Sequence, residues 1–460
     1  MITPLDSRVM DANSEAMGVS VEDLMGNAGR AVASFIESKY PGKTILFVCG
    51  TGNNGGDGFA AASLMDEHLV TVALLKDAEH IRTEAACRYF NDLRCEVTGY
   101  DSDLIGKYDV IVDCAIGTGL SGIVKAPYRT FIEDARNLTD IPVISVDVPS
   151  GLDADISIKP TATITFHDLK TGMDRDRCGE IIIADIGIPA EAVDFTGPGD
   201  FLRYPIPKTD SHKGNNGKLM IIAGGPYFGA PIMAAQSALR TGADIVRLFI
   251  PETIFGIVAA SSPVITATPL KGWKVGTDSL EFLLKESASY DAILIGPGLG
   301  TDEDTIEFVR GFVRRCDRPM VIDADAISAV KGIRFGNDTV LTPHHMEYRR
   351  IGCSCDVRET SESIGATVLL KGPVDEISDG RRTRRNRTGT PAMTGAGTGD
   401  VLAGCVSALL SKGMSAFDAA CLGAMICGLA GEYAAKDKSY GLIATDVIDE
   451  IPHVLRDNLR

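Results

Sequence analysis

Along residues 43–153, short continuous runs of Val, Ile, Leu and Phe alternate with glycine-rich polar stretches and amphipathic segments. KTILFVCG from Lys43 reads as a buried strand, TGNNGGDG as a turn, FAAASLMDEH as a helix and LVTVALLK as the next strand, which is a βαβ unit. YDVIVDCAIGTG and IPVISVDVPSG continue the pattern. Their unbroken apolar runs predict strands covered on both faces of a parallel sheet. The rhythm breaks at TGPGDFLRYPIPK, rich in Gly and Pro, between about Phe195 and Lys208. This segment is expected to connect two domains, 1–205 and 206–460. Beyond it GKLMIIAGG, PIMAAQSALRTGA and DIVRLFIPE repeat strand, helix and strand, and DAILIGPGLG and RPMVIDADA add two buried strands. A long helical pattern from Asp400 to Ala435 closes the second domain. The expected fold class is therefore α/β, with a three-layer αβα sandwich in each half. The halves share this grammar but not their loop texts, so no internal duplication is expected.

Length agrees, since 460 residues exceed what one ordinary core holds. Charge narrows the partners: 45 basic against 62 acidic residues give −17, which disfavours nucleic acid and anionic lipid and requires local pockets of N–H and Lys for anionic small molecules. The eleven cysteines are scattered without a CxxC pair; only Cys353 with Cys355, and Cys421 with Cys427, come near each other. That usage fits reduced thiols in a cytoplasmic enzyme rather than a disulfide scaffold or zinc site. The first residues, MITPLDSRVMDANSEAMG, carry Asp6, Arg8 and Asp11 where a secretion signal needs an apolar core, and read as a surface helix. AACLGAMICGLAG is too short to span a membrane and reads as a buried helix. RRTRRNR, the Arg381 to Arg387 cluster, reads as a solvated hairpin tip.

Ligands of parallel sheets sit at the carboxyl ends of strands, which directs attention to the loops there. In PAMTGAGTGDVLAG, Gly395, Gly397 and Gly399 precede a helix and allow an anion close to free N–H groups. Asp400 either caps that helix or receives the proton of an attacking hydroxyl in phosphoryl transfer. IGPGLG, TPHH and LLKGP, with Lys371, converge on the same face. In the first half, CGTGNNGG contains G-x-G-x-x-G after a strand, with Asp77 one βαβ step on, as a dinucleotide fingerprint would have. Asn53, Asn54 and Asp57 are superfluous for pyrophosphate, and the acid would repel it; they suit amide and hydroxyl recognition or a cation. Asp147 ends a buried strand, where it either caps the Ser150 N–H or acts on a ligand as a base. Asp113 ends the neighbouring strand. Two strand-end acids with Asn54 and Ser150 form an all-oxygen set suited to a hard cation.

SHKGNNGKLMIIAGG, YFGAPIMAAQSALRTGA, IGPGLG, VIDADA, LTPHHMEY, LLKGP and PAMTGAGTGDVLAG, in this order, resemble the ribokinase-like domain of the NAD(P)H-hydrate dehydratases over residues 207–460. The resemblance implies dehydration of the S epimer of hydrated NADH or NADPH at the expense of ADP or ATP, with magnesium. It implies Asp400 as base, Ala230, Gly298, His344 and Asp400 at the hydrate, and Lys371, Gly372, Pro373, Val374, Asp375 and Gly399 at the nucleotide. Two departures stand out: TPHHME replaces the usual TPHPGE, and VDEIS follows LLKGP without the usual Thr.

LMGNAGRAVA, GTGNNGGDGFAAA, DCAIGTGLSG and DVPSGLDAD resemble the NAD(P)H-hydrate epimerase domain, Rossmann-like, over about residues 1–200. That resemblance implies potassium at Asn54, Asp113 and Ser150. It places the hydrate against Asn53, Asn54, Gly55, Gly56 and Asp57, against Gly117, Thr118, Gly119, Leu120, Ser121, Gly122 and Ile123, and against Asp147, which is also the candidate acid/base. Gly26 stands where the family generally has an acid. Together the two resemblances imply a bifunctional, homo-oligomeric repair enzyme. A ribokinase-like small-molecule kinase carrying a ligand-sensing domain, and a pure binding module, are the alternatives.

Overall fold

The computed structural model describes residues 1–120, 122–336, 338–351 and 356–459; Ser121, Cys353 and Cys355 fall outside them. It divides into two compact units, Met1–Ala192 and Val193–Arg460.

The first unit is built on seven strands: β1 (Ile45–Cys49), β2 (Val70–Leu74), β3 (Glu96–Gly99), β4 (Val110–Cys114), β5 (Val143–Val146), β6 (Ala162–Phe166) and β7 (Glu180–Ala184). They pair in the order β3-β2-β1-β4-β5-β6-β7, with parallel ladders throughout. The central strands β1, β4, β5 and β6 are buried along their whole length, as their apolar runs require. The order reverses between β1 and β4, so the loops after these two strands splay apart and leave a crevice. Helix α1 (Pro4–Ala16) starts on a Thr3–Asp6 capping box with Pro at its first turn. It is less of a surface helix than its polarity suggests, because Val9, Met10, Asn13 and Ser14 are buried. Helix α2 (Val21–Lys39) buries Gly26, where a Cβ would stand 2.3 Å from the Tyr89 hydroxyl oxygen. The missing acid at 26 is thus matched by a tyrosine filling its place.

The second unit has nine strands: β8 (Lys218–Ile222), β9 (Ile245–Pro251), β10 (Thr266–Leu270), β11 (Ala292–Ile295), β12 (Met320–Ile322), β13 (Thr339–Leu341), β14 (Thr367–Leu370), β15 (Asp375–Ser378) and β16 (Thr383–Asn386). Their order is β10-β9-β8-β11-β12-β13-β14-β15-β16, and only the β14-β15-β16 ladders are antiparallel. Helices Thr398–Ser411 and Ala416–Lys438 are buried over most of their length. Among the described residues no helix is long and apolar enough to cross a membrane.

The segment expected as a connection belongs to the second unit from Val193 onward. Phe195 bridges Arg385 of β16, Thr196 N–H donates to the Arg385 carbonyl, and Asp200, fully buried, pairs with Arg384. The arginine cluster is accordingly only partly a solvated tip. Arg384 Nη2 also donates to Asp200 Oδ2 at 3.0 Å and Nε to the Val193 carbonyl at 3.1 Å, whereas Arg381 is exposed.

Candidate active sites

In the first unit the crevice at the β1/β4 reversal opens into a cavity of about 1000 Å³. Helix α3 (Asn53–Ser63) begins immediately after β1, and its spacing sends Asn53, Asn54 and Asp57 to the cavity. Gly55 and Gly56 face the other way: a Cβ on Gly55 would meet the Gly50 carbonyl at 2.0 Å and one on Gly56 the Met25 side chain at 2.6 Å. These glycines let α3 pack, and the polar trio does the facing. Gly117, Thr118, Gly119 and Leu120 of the loop after β4 line the same space. Gly122 and Ile123, both exposed, lie beyond that wall. Asp77 is exposed and also outside it, so the dinucleotide fingerprint lacks its ribose-binding acid here.

Asp147 follows β5 with φ 64°, a left-handed conformation that a non-glycine residue adopts at a cost. His167, after β6, has φ 67° and lines the same cavity. Of the two roles open to Asp147, the cap does not form. Ser150 N–H donates to Asp113 Oδ2 at 2.9 Å instead, leaving Asp147 for the cavity. Lys170, which sequence reasoning did not single out, stands with Nζ 2.8 Å from Asp147 Oδ1. Its ammonium hydrogen-bonds Thr165 Oγ1, the Phe166 carbonyl and the Asp168 carbonyl, and Asp147 Oδ1 receives charge without a well-angled hydrogen bond. Asp11 of α1 also reaches this cavity. Burial, with Asp147 nearby, pushes its carboxyl up to about 6, and the same two causes hold Asp57 well above the carboxylate range, with Asp11 adding to them.

Behind the cavity, Asp113 is fully buried and accepts from the Ala115 N–H, the Ser145 hydroxyl, and the Ser150 N–H and hydroxyl. Burial still raises its carboxyl. Asn54, itself 8% exposed, has neither carboxamide atom hydrogen-bonded, and its Cβ lies 3.3 Å from where a Gly117 side chain would begin. A buried, orphaned amide oxygen at the Gly117 turn, next to the Ile116 N–H that the Asp113-bound Ser150 hydroxyl holds, fits a hard, weakly charged cation.

In the second unit, Gly397 has φ 96° and starts helix Thr398–Ser411 without a side-chain cap. Asp400 lies in that first turn, but no hydrogen bond ties it to the helix start, so it is not the cap. A Cβ on Gly399 would be 3.5 Å from Lys371 Nζ, which places the lysine over the glycine turn. Lys371 in turn pairs at 3.0 Å with Asp323 Oδ1, a buried acid that also accepts from the Thr342 hydroxyl. Burial, and then Asp323, push the Asp400 carboxyl up to about 7, against the opposing effect of Lys371. Ala230 and Gly298 are brought together, since a Gly298 Cβ would be 3.3 Å from Ala230 Cβ.

The departures acquire local explanations. His344 caps helix His345–Arg350, its Nδ1 accepting from the Met346 and Glu347 N–H groups. The ring proton therefore sits on Nε2, which lies 3.6 Å from Glu347 Oε1. Asp375 braces its own turn, accepting from Gly372 N–H at 3.0 Å and Asn386 Nδ2 at 3.0 Å, while Gly372, Pro373 and Val374 are exposed.

Comparison with known proteins adds three findings. The family model described as NAD(P)H-hydrate dehydratase matches residues 219–453, and that described as YjeF-related protein N-terminus matches residues 21–172. The chain is 38% identical to the bifunctional NAD(P)H-hydrate repair enzyme Nnr of Pyrobaculum aerophilum, over 99% of this chain and 98% of the relative. It is also 38% identical to the protein of the same name from Methanothermobacter thermautotrophicus, over 99% and 95%. In fold it is similar to the ADP/ATP-dependent NAD(P)H-hydrate dehydratase of Bacillus subtilis, with TM-score 0.51, 24% identity, and coverage of 58% of this chain and 99% of that one. With both family models in sequence order and relatives matched end to end, the chain belongs to the bifunctional NAD(P)H-hydrate repair enzymes.

Proposed function

We propose that the first unit interconverts the R and S epimers of hydrated NADH and NADPH, and that the second dehydrates the S epimer at the expense of ADP or ATP. One observation carries this reading beyond family membership. At the carboxyl edge of each sheet stands one partly buried aspartate, Asp147 or Asp400, to which no described N–H or O–H group donates a hydrogen bond. Such a carboxylate is free to take a substrate proton.

In the second unit Asp400 accepts the proton of the ring hydroxyl as that oxygen bonds to the terminal phosphorus, and the bond to the departing nucleotide breaks. The ester's C–O bond then breaks, inorganic phosphate leaves, and loss of a ring proton restores the double bond. Lys371 and the N–H groups around Gly399 offset the charge on the transferring group. Ala230, Gly298 and the Nε2–H of His344 hold the hydrate, and Lys371 to Asp375 and Gly399 the nucleotide. Magnesium belongs with the nucleotide's phosphates as a hard cation for oxygen. A carboxyl near 7 is part-ionised at neutral pH, as a general base needs.

In the first unit Asp147 takes the hydroxyl proton as the adjacent ring C–N bond opens to a carbonyl and the nitrogen gains a proton; the nitrogen then loses that proton, closes on the carbonyl's other face, and the new hydroxyl regains its proton, while Asn53 and Asp57 and the Gly117–Leu120 loop orient the ring. Asn54, Asp113 and Ser150 would hold potassium, which supplies positive charge to the floor of the cavity. A cytoplasmic, homo-oligomeric protein is part of this reading; the free state of all the described cysteines supports the former.

The test is to incubate the protein with mixed epimers of hydrated NADH, ADP or ATP and magnesium, and to follow the return of dihydronicotinamide absorbance. A stable phosphorylated product instead would identify a kinase.

A further inference from the structure

The cavity of the first unit is electrically divided. Its recessed acids, Asp11, Asp57 and Asp147, are partly buried, whereas Arg8, Lys76 and Arg82 line the same space and are exposed. In a chain of net charge −17, three unpaired cations lining one cavity stand out. Most arginines beside acids here are paired, as Arg88 is with Glu22 and Arg129 with Asp155. Among the described residues no carboxylate lies within ion-pair distance of Arg8, Lys76 or Arg82.

The three come from separate elements fixed to the cavity. Arg8 is one helical turn from Asp11 on α1. Lys76 follows β2 and sits 5.5 Å over the ring of Tyr128, another wall residue. The Arg82 N–H donates to the Thr51 carbonyl at 3.2 Å, tying its loop to the turn that opens α3. A carbon-rich ring with a hydroxyl meets the recessed acids and amides, and Asn54 there is more than nine-tenths buried with its carboxamide unpartnered. The ligand's anionic groups then fall to the exposed cations of the same lining.

We propose that Arg8, Lys76 and Arg82 form a phosphate-recognising rim that grips the phosphate groups of the hydrated dinucleotide and orients its nicotinamide end toward Asp147. The proposal rests on the epimerase reading of this cavity. Pyrophosphate carries two negative charges, so a third cation also favours a substrate with an additional phosphate on the adenosine ribose. Hydrated NADPH is therefore the better substrate of this unit.

The experiment follows exchange of R and S hydrates of NADPH and NADH by chromatography, without ADP or ATP, in the full-length protein and in Arg8→Ala, Lys76→Ala, Arg82→Ala and the triple variant. Each single change is expected to raise KM by about tenfold and leave kcat within about twofold, as loss of uniform binding does. The triple variant should lose the preference for hydrated NADPH, and Lys76→Arg should retain it. In the unaltered protein KM should rise steeply with salt. Unchanged KM in the triple variant, or a KM insensitive to salt, would overturn the proposal. Absence of exchange in the unaltered protein would instead overturn the epimerase reading beneath it. The retained kcat of epimer exchange, with an unchanged thermal melt of the first unit, reports that the variants remain folded.

Discussion

Lys170 Nζ lies 2.8 Å from Asp147 Oδ1 while its hydrogen bonds go to Thr165, Phe166 and Asp168. The lysine is thus bound by the backbone and lends Asp147 its charge. That arrangement sets a positive charge against Asp147 in a cavity that also holds Asp11 and Asp57, and leaves its lone pairs open. Lys170→Met is expected to slow epimer exchange by about 100-fold, because Asp147 would lose the ammonium 2.8 Å from its Oδ1. Lys170→Arg should restore part of the rate. An arginine variant as slow as the methionine variant would show that Lys170 acts by shape rather than by charge.

The two aspartates are expected to fail independently. Asp147→Asn should abolish epimer exchange and leave nucleotide-dependent dehydration of the S hydrate intact, and Asp400→Asn should do the reverse. Loss of both activities from either change would speak against separate sites.

The α/β class and the strand-end loops were legible because continuous Val/Ile runs and glycine turns are local signals, and β1, β4, β8 and β11 fall where those runs stand. Asp113, Asn54 and Ser150 were legible as an oxygen set for the same reason, since each closes a strand or opens a turn. Lys170 was not, because its partner is 23 residues back in the chain and its sequence, FHDLKTG, carries no motif. A buried cation shows its purpose only when the sheet brings β5 and β6 side by side. Asp323 was quoted within VIDADA but received no role, since only the fold brings Lys371 to it. The choice between cap and ligand for Asp147 was not legible: the Ser150 N–H goes to Asp113, which on the adjacent strand sits directly opposite Ser145 in register, and the sequence alone cannot rank two acids at neighbouring strand ends.

The raised Asp400 carboxyl has a stability consequence whose sign is fixed. Its folded pKa, about 7, exceeds the ordinary value of 3.8, so between those values the folded protein binds more protons than the unfolded one, and stability falls as pH rises. Asp400→Asn removes that cost. The variant's second unit should melt higher than the unaltered protein's at pH 8, by ~2–4 °C for each kcal/mol relieved, and the gap should close by pH 4. Calorimetry at the two pH values checks this. In the unaltered protein, dehydration should slow as pH drops below about 7, since Asp400 must be ionised to accept a proton.

Potassium dependence should trace to Asn54. Its carboxamide oxygen has no hydrogen-bond partner, whereas Asp113 already receives four donors. Asn54→Ala should lower epimer exchange and weaken its response to added potassium chloride, relative to sodium chloride, by at least about tenfold. Equal responses to the two salts in the unaltered protein would remove the cation from the reading.

Arg384 and Arg381 occupy one short cluster but should behave oppositely. Arg384 is drawn inward by a bidentate contact with buried Asp200 and by the carbonyls of Val193 and Phe195. Truncating it removes the bidentate partner of a fully buried carboxylate. Breaking a buried pair on one side costs about 3–5 kcal/mol. Arg384→Ala should therefore lower the denaturant midpoint of the second unit markedly, while Arg381→Ala, at an exposed position, should leave it unmoved. If the cluster were instead a nucleic-acid patch, both variants would lose affinity for a DNA duplex together and neither would lose stability. A destabilised Arg384→Ala with no duplex binding in any of the three proteins would show that this arginine clamps the Val193–Arg203 segment to β16.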